Sequence, residues 1–360
     1  MTTINLYFKQ AWQLMKQNRF FSAVYIIGTG LAISMVMVLA VVYHIRTANI
    51  APEVHRDRMA YMDQISYVYN EGNSTWNSGL GIRYVKEVVQ TLKTPEAVAI
   101  TTSPIFQFFQ GNEMFASVPG IDKQPNIIYM CCNAAFWQVY EFRFLYGKPF
   151  TESDFESGMR TAVLSRSMAR QLLGKEDVIG QTIQLNEVEY RICGVVDDVS
   201  GTLEDTYAQV WIPYTSMSSM MNESASEREV TVGKLQANIL LHDKKDLPAV
   251  QAELEEAIKR YNTTLVEGKV KNAIIQPTTF TIMGVSSSKA YGAIALFLLL
   301  FLLVPALNIS GLNASHIQDR MEEIGIRKAF GAPRSTLFIQ IFIENLLLMF
   351  PGSVAGLLFS

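Results

Sequence analysis

The chain has 360 residues, of which 49% are hydrophobic and 18% charged, with a formal net charge of −3. An ordinary soluble domain is charged at roughly a quarter of its positions, so a purely cytosolic enzyme is excluded. The missing charges are concentrated: Phe20 to Ile45 and Ala290 to Gln318 carry none, and Ser335 to Ser360 carries only Glu344. Outside those stretches the composition is that of an average soluble protein, which excludes a many-helix channel. No basic patch marks a nucleic-acid partner.

Residues 1–19 place Ile4, Phe8, Ala11, Trp12 and Met15 at helical spacing, opposite Asn5, Lys9, Gln13 and Lys16. This is an amphipathic helix suited either to the inner membrane surface or to a partner protein. Residues 20–45 follow as the first apolar segment, long enough for a membrane helix, which takes about 20 residues. The run exceeds the ~7–15 residues of a signal-peptide core and no small-x-small cleavage site follows closely, so an anchor is expected. Gly28 with Ala32 and Gly30 with Ser34 form small-xxx-small pairs, a weak signal for helix packing.

Residues 46–289 have the length and charge of a soluble domain and read as α+β. Tyr61 to Asn70 alternates as a strand; Ile82, Val85, Val88, Val89 and Leu92 form one helical stripe; Ala97 to Phe109 returns as strand. The order recurs with Lys234 to His242 as strand, a helix capped at Asp246 with Pro248 in its first turn, and Asn272 to Ile282 as strand. Two such units suit a split βαβ sheet with a second α+β subdomain inserted at about 111–232. Within the insertion, Thr161 to Ser165 reads as a strand and Met168 to Leu173 as a helix stopped by Gly174. Val178 to Leu185 and Val188 to Val196 read as a hairpin around Asn186-Glu187, and Val210 to Tyr214 as a further strand.

The second apolar segment, residues 290–312, contains Asn308. Residues 313–335 form a short charged connector, and the third apolar segment, 336–360, contains Glu344. Lys9, Lys16 and Arg19 precede the first span, while Arg320, Arg327, Lys328 and Arg334 lie between the second and third. Basic residues mark cytoplasmic loops, so both regions face the cytoplasm and residues 46–289 lie outside. A carboxylate near mid-span costs about 3 kcal/mol, which ten Leu, Ile and Phe residues at about 0.3–0.6 kcal/mol each offset. Glu344 is therefore compatible with a span, where a contact to a neighbouring helix or partner is expected ahead of an ion pathway.

Motifs for chemistry are missing. No P-loop is present to hold ATP phosphates. His44, His55, His242 and His316 are scattered, with no metal-ligand spacing, and no G-x-S-x-G elbow occurs. Gly28-Thr29-Gly30 lacks the third glycine of a dinucleotide fingerprint and lies within an apolar segment. Cys131, Cys132 and Cys193 are odd in number with two adjacent, a poor disulfide framework; buried thiols in strands are expected. Neither catalysis nor a cofactor is expected of this chain alone. In the connector, Glu322 and Glu323 precede Arg327 and Lys328 at i,i+4-type spacing on one helix face, and Gly331 with Pro333 ends that helix.

The run Asn308…Arg320-x-x-Glu323-Ile324-Gly325-Ile326-Arg327-Lys328-Ala329-x-Gly331-Ala332, continued by Gln340 and Glu344, resembles the FtsX-like membrane domain of MacB/FtsX-type ABC transporter permeases. Ala162-Val-Leu-Ser165 through Gly174, Val178-Ile-Gly180 and Gly194-Val-Val are similar to the MacB-like periplasmic core domain. The amphipathic start leading into Gly28-Thr-Gly30 is similar to the family's first helix. The resemblance covers nearly the whole chain.

It implies a permease of the inner membrane, as a homodimer or paired with a second permease. A separate or fused ABC-type ATPase would dock from the cytoplasm on a surface that includes Arg320, Glu322, Glu323, Ile324, Gly325, Arg327, Lys328 and Gly331. ATP-driven motion would pass to the outer domain, where an envelope partner could act, without substrate crossing the bilayer. The family has four spans and this chain ends in its third, so the last helix is expected to be missing. Two other readings stay open: an envelope sensor that moves nothing, and an FtsX-like regulator of an outer hydrolase, for which the outer region is large. Cargo is not legible.

Overall fold

The described residues are 16, 19–70, 74–102, 113–120, 124–222 and 225–277, with single positions or pairs between 296 and 358, in a computed structural model of the chain. Contacts divide it into two compact units, residues 1–44 with 285–360 and residues 45–284. Of the first, the described part is chiefly α1 (Arg19–Thr47), a helix of 29 residues. Among the described residues no helix is long and apolar enough throughout to cross a membrane; the side chains of several α1 residues, Phe21 and Val42 among them, fall outside the described set. Asn308, Arg320, Glu322, Glu323, Ile324, Arg327, Lys328 and Glu344 also lie outside the described residues, as does the amphipathic start apart from Lys16.

The second unit is α+β. Its strands are β1 (Met59–Met62), β2 (Ile65–Tyr69), β3 (Thr75–Leu80), β4 (Ala97–Thr102), β5 (Met114–Ser117), β6 (Asn126–Ile127), β7 (Tyr129–Cys132), β8 (Phe144–Gly147), β9 (Thr161–Ser165), β10 (Thr182–Leu185), β11 (Val188–Val196), β12 (Val210–Pro213), β13 (Val232–Gly233), β14 (Leu235–Leu240), β15 (Gly268–Ala273) and β16 (Gln276–Pro277). The helices are α2 (Ile82–Glu87), α3 (Phe136–Val139), α4 (Glu152–Glu156), α5 (Arg166–Leu173), α6 (Glu227–Thr231) and α7 (Leu247–Asn262).

One half is built as a split βαβ sheet. β14 lies between β1 and β4 and is antiparallel to both, with Leu240 opposite Met59 on one side and Ala97 on the other. β1 and β4 are thus parallel, joined through α2, with β14 inserted between them. β1 pairs in turn with β16, so β14 and β16 flank it with α7 in their connection. The helix faces follow from the sequence: Val250, Leu254, Ala257 and Tyr261 recur along α7 and all are buried. α2 is shorter than its apolar stripe. After Glu87 the chain tightens into a 3-10 turn over Val89–Thr91 that keeps Val88 and Val89 inside. The carboxylate of Glu253 on α7 then takes the N–H groups of Lys93 and Thr94 at 2.7 and 3.0 Å, ahead of the strand that follows.

β5 to β12 form the other half, in the order β7-β12-β9-β11-β10-β5-β6 with β8 on β11. α5 is cut to length by its ends: the Ser165 hydroxyl accepts from Met168 N–H at 3.2 Å, and Gly174 closes it at φ +71°. That backbone geometry favours glycine. The β10–β11 hairpin turns at Asn186 (φ +44°) and Glu187 (φ +68°), the left-handed pair a two-residue turn requires. The core here is aromatic: Trp137 meets Phe142, Phe144 and Phe150 with ring centres 5.2, 5.4 and 5.6 Å away, and Trp211 is fully buried beside it. Among the described residues the sheets of the two halves join at one strand pair, Thr101 with Cys132. Beside it the Asn133 amide accepts from Ile100 N–H and donates to Val98 carbonyl, both at 3.0 Å, taking the place of a longer ladder.

Several element boundaries differ from expectation. Asp246 does not cap α7 with its side chain; Asp243 accepts from Lys245 N–H and Asp246 reciprocates to Asp243 N–H, closing a 3-10 turn that leads into the helix. The last strand begins at Gly268 rather than Asn272 and breaks before β16. β4 is described only to Thr102.

Candidate functional site

Of the residues expected to form a cytoplasmic docking surface, the structure describes Gly325 and Gly331. Gly325 is helical and exposed, as is Ile326 beside it. Gly331 is an exposed turn residue at φ +84°, with open space where a Cβ would stand. That conformation is the one a helix-ending glycine supplies.

Among the described residues no group of three His, Cys, Asp or Glu side chains could hold a metal. His55 faces Glu141 at 3.3 Å and His242 faces Glu96 at 3.6 Å, each a pairing with a carboxylate near the surface. Cys131 and Cys132 on β7 and Cys193 on β11 are free. Burial pushes the thiols of Cys131 and Cys193 up to about 12 and raises that of Cys132 as well. A thiol that keeps its proton is a poor nucleophile and metal ligand.

The feature that sequence patterns missed lies where the second unit begins. Glu53 and Arg56 form an ion pair at 2.5 Å with both side chains buried. Charged side chains are almost never fully buried unless paired. The Thr206 hydroxyl, also fully buried, donates to Glu53 Oε1 at 2.7 Å. Around the pair stand further carboxylates. Burial raises the Asp205 carboxyl well above its ordinary range, reinforced by the charges of Glu53 and Asp63 and opposed by Arg56. Burial alone lifts Asp63 to about 6. Glu53 and Asp205 thus share one guanidinium, with Asp63 a further charge beside Asp205. The only sequence signal for this was the i,i+3 spacing of Glu53 and Arg56, which is common on any solvated turn.

A second polar node holds the split sheet together. The Glu227 carboxylate, in the first turn of α6, accepts from the Tyr67 hydroxyl at 2.7 Å. It also accepts the N–H groups of Val266, Glu267 and Gly268 at 2.7, 3.0 and 3.2 Å. Burial works against its ionisation, yet these donors together hold its pKa below the usual value.

Comparison with known proteins places this architecture. Residues 22–257 match the MacB-like periplasmic core domain and residues 295–360 the FtsX-like permease C-terminal region. An uncharacterized ABC transporter permease, YknZ of Bacillus subtilis, is 23% identical over 299 residues, covering 80% of this chain and 65% of that protein. The pyoverdine export ATP-binding/permease protein PvdT of Pseudomonas savastanoi pv. phaseolicola is 24% identical over 353 residues, or 96% of this chain and 50% of its own length. Against the Bdellovibrio bacteriovorus macrolide export ATP-binding/permease protein MacB the figures are 23% over 290 residues, 79% and 42%. The chain therefore spans from about two-fifths to under two-thirds of these relatives. Among solved structures, the extracellular domain of a noncanonic ABC-type transporter, YknZ from Gram-positive bacteria, aligns with a TM-score of 0.39 at 15% identity. It covers 58% of this chain and all of that one. The periplasmic region of MacB from Actinobacillus actinomycetemcomitans gives 0.42 at 16%, over 64% and 94%.

Proposed function

This chain belongs to the MacB/FtsX-type family of ABC transporter permeases, and from that premise we propose that it is a permease subunit converting the work of a cytoplasmic ATPase into motion of its outer unit, for export or release of an envelope substrate. The observation that carries the reading is the order of the two family regions, the core domain at 22–257 and the FtsX-like region at 295–360. The folded outer unit, residues 45–284, falls largely within the first. In this reading residues 20–45, 290–312 and 336–360 cross the inner membrane and residues 46–289 face outward. A second copy or a second permease completes the membrane part, and the outer unit meets any envelope partner.

The names of the PvdT and MacB relatives join ATP binding to permease function. Residues 1–360 carry no P-loop motif, and in this reading an ABC-type ATPase on the cytoplasmic side hydrolyses the nucleotide. The docking surface is the connector 313–335, with Arg320, Glu322, Glu323, Ile324, Gly325, Arg327, Lys328 and Gly331. Its acids Glu322 and Glu323 lie between Arg320 and the pair Arg327 and Lys328, with Glu323 and Arg327 one helical turn apart, a surface whose charge order a partner can read. Asn308 and Glu344 serve contacts between helices in the membrane.

The test is recovery of an ABC-type ATPase with the full chain purified from membranes. The double reversal Glu322→Arg with Arg327→Glu is expected to release it. Retained ATPase in that variant overturns the docking surface, and an ATPase that never accompanies the wild-type chain overturns the permease reading in favour of a sensor.

A further inference from the structure

The outer unit begins at Ile45, and its first residues are held in an unusual way. A buried ion pair is on balance no more stabilising than an apolar pair of the same shape, because desolvating both charges offsets their attraction. The Glu53–Arg56 pair therefore needs a reason other than stability, and its hydrogen bonds supply one: beyond binding each other, the two side chains grip separate parts of the chain.

Arg56 binds Glu53 Oε2 through Nε at 2.6 Å, and its Nη1 donates to the carbonyls of Ile45 and Ala48, the last turn of α1 and the residue just after it. The other oxygen of Glu53 receives the Thr206 hydroxyl, in the turn where Tyr207 N–H bonds Leu203 carbonyl just ahead of β12. Between them, Pro52 carbonyl accepts Glu141 N–H at 2.9 Å, a contact to the segment after α3. Arg58 donates to Leu241 carbonyl at 2.6 Å and pairs with Glu96, while Leu241 N–H bonds Arg58 carbonyl at 3.0 Å. Those residues flank β14 and β4 of the split sheet. Within fourteen residues the chain fastens the end of α1, the inserted half and the split sheet to one another. An apolar pair could not do this, since hydrophobic contact has no direction.

We propose that residues 45–58 are a joint that passes displacement of the end of α1 into both halves of the outer unit, with Glu53 as the hub through which Arg56 and Thr206 are coupled. The purpose of the joint rests on the permease reading, but its existence can be tested without it. The experiment is amide hydrogen exchange on the full chain in lipid nanodiscs, with no nucleotide or ATPase present. The reporters are the amides of Tyr207, bonded to Leu203 carbonyl at 2.8 Å, and of Glu53, bonded to Ile50 carbonyl at 2.7 Å.

Thr206→Val is expected to speed exchange at Tyr207 by about tenfold, the loss of one buried hydrogen bond's worth of local stability, and Arg56→Met, which leaves Glu53 buried without its counter-charge, by at least as much. If both act through Glu53, the double variant exchanges no faster than the faster single one. Independent action gives the product, about a hundredfold or more, and overturns the proposal. Should Arg56→Met loosen β9 as well, showing general unfolding, the Thr206 variants decide alone. Thr206→Val must speed exchange at the Glu53 amide, on the far side of the hub, and Thr206→Ser, which keeps the hydroxyl, must not. An unchanged Glu53 amide in Thr206→Val refutes the coupling. Additivity would remove the joint and leave the permease reading intact, whereas failure to recover an ATPase would do the reverse.

Discussion

Replacing Glu227 by Gln probes the node that ties α6 to β2 and to the turn before β15. The Oε1 oxygen holds the Tyr67 hydroxyl and the Glu267 and Gly268 amides, and Oε2 holds the Val266 amide. Glutamine keeps one acceptor oxygen but turns an NH2 donor toward the Val266 N–H and removes the charge. A hydrogen bond to a charged group contributes about 1.5–3 kcal/mol; losing one outright and weakening three gives an expected loss of about 2–4 kcal/mol at pH 7. The pH dependence has a definite sign. The folded-state pKa is lowered, so the wild-type contribution is present above the unfolded value near ~4.3 and is lost as pH falls through the lower folded value. The gap between wild type and Glu227→Gln must therefore narrow in acid. Urea unfolding of the detergent-solubilised chain, followed by tryptophan fluorescence at a series of pH values, measures it. A gap that stays constant from pH 7 to pH 3 would show that the charge contributes nothing and refute the reasoning.

Asp63 carries the opposite sign. Its folded carboxyl holds a proton up to about 6 while the unfolded one releases it near ~4, so stability declines as pH rises across that window. Asp63→Asn is expected to flatten the decline and to stabilise the chain at pH 7.5 by about 1–2 kcal/mol, the full shift discounted for the solvent that still reaches this half-buried side chain. The same urea midpoints read it. At the β10–β11 turn, Glu187 holds a left-handed conformation that costs a non-glycine residue about 1 kcal/mol. Glu187→Gly should accordingly raise the thermal midpoint by about 2–4 °C in a unit of this size, measured by scanning calorimetry. Cys131 and Cys132, protonated and buried, should resist a thiol-specific reagent in the native chain and react on unfolding, which a colorimetric titration in and out of urea would show.

What could be read from the chain was what the chain states locally. Ser165 and Gly174 bracket α5 within ten residues, and Asn186-Glu187 marks its hairpin, because caps and turns are satisfied by near neighbours. The stripe of Ile82, Val85, Val88 and Val89 was equally visible, although it names an inward face rather than a helix type: a 3-10 turn keeps Val88 and Val89 inside as well as an α-helix would. β3 escaped notice because Thr75, Trp76 and Asn77 are all exposed and show no alternation. Its pairing with β2 and β13 supplies the order that its composition lacks. The proposed docking surface rests on a motif alone, a string of residue types at fixed spacing.

The polar nodes were illegible for a different reason. Glu53 and Thr206 are 153 residues apart, and Tyr67 and Glu227 are 160 apart. No periodicity links them, and each looks alone like a solvated side chain. Only the tertiary fold brings them together: the inserted half returns Thr206 to Glu53 ahead of β12, and the pairing of β15 with β2 sets Tyr67 beside the turn that Glu227 holds. Charge counts therefore separate the apolar segments from the outer unit but cannot rank charges within it. Most of its acids and bases are surface groups whose pairings contribute little, while Glu53, Arg56 and Glu227 hold distant segments in register. Substitutions at those three positions should therefore be felt far along the chain, whereas reversing an exposed pair such as Glu256 with Lys259 should be felt hardly at all.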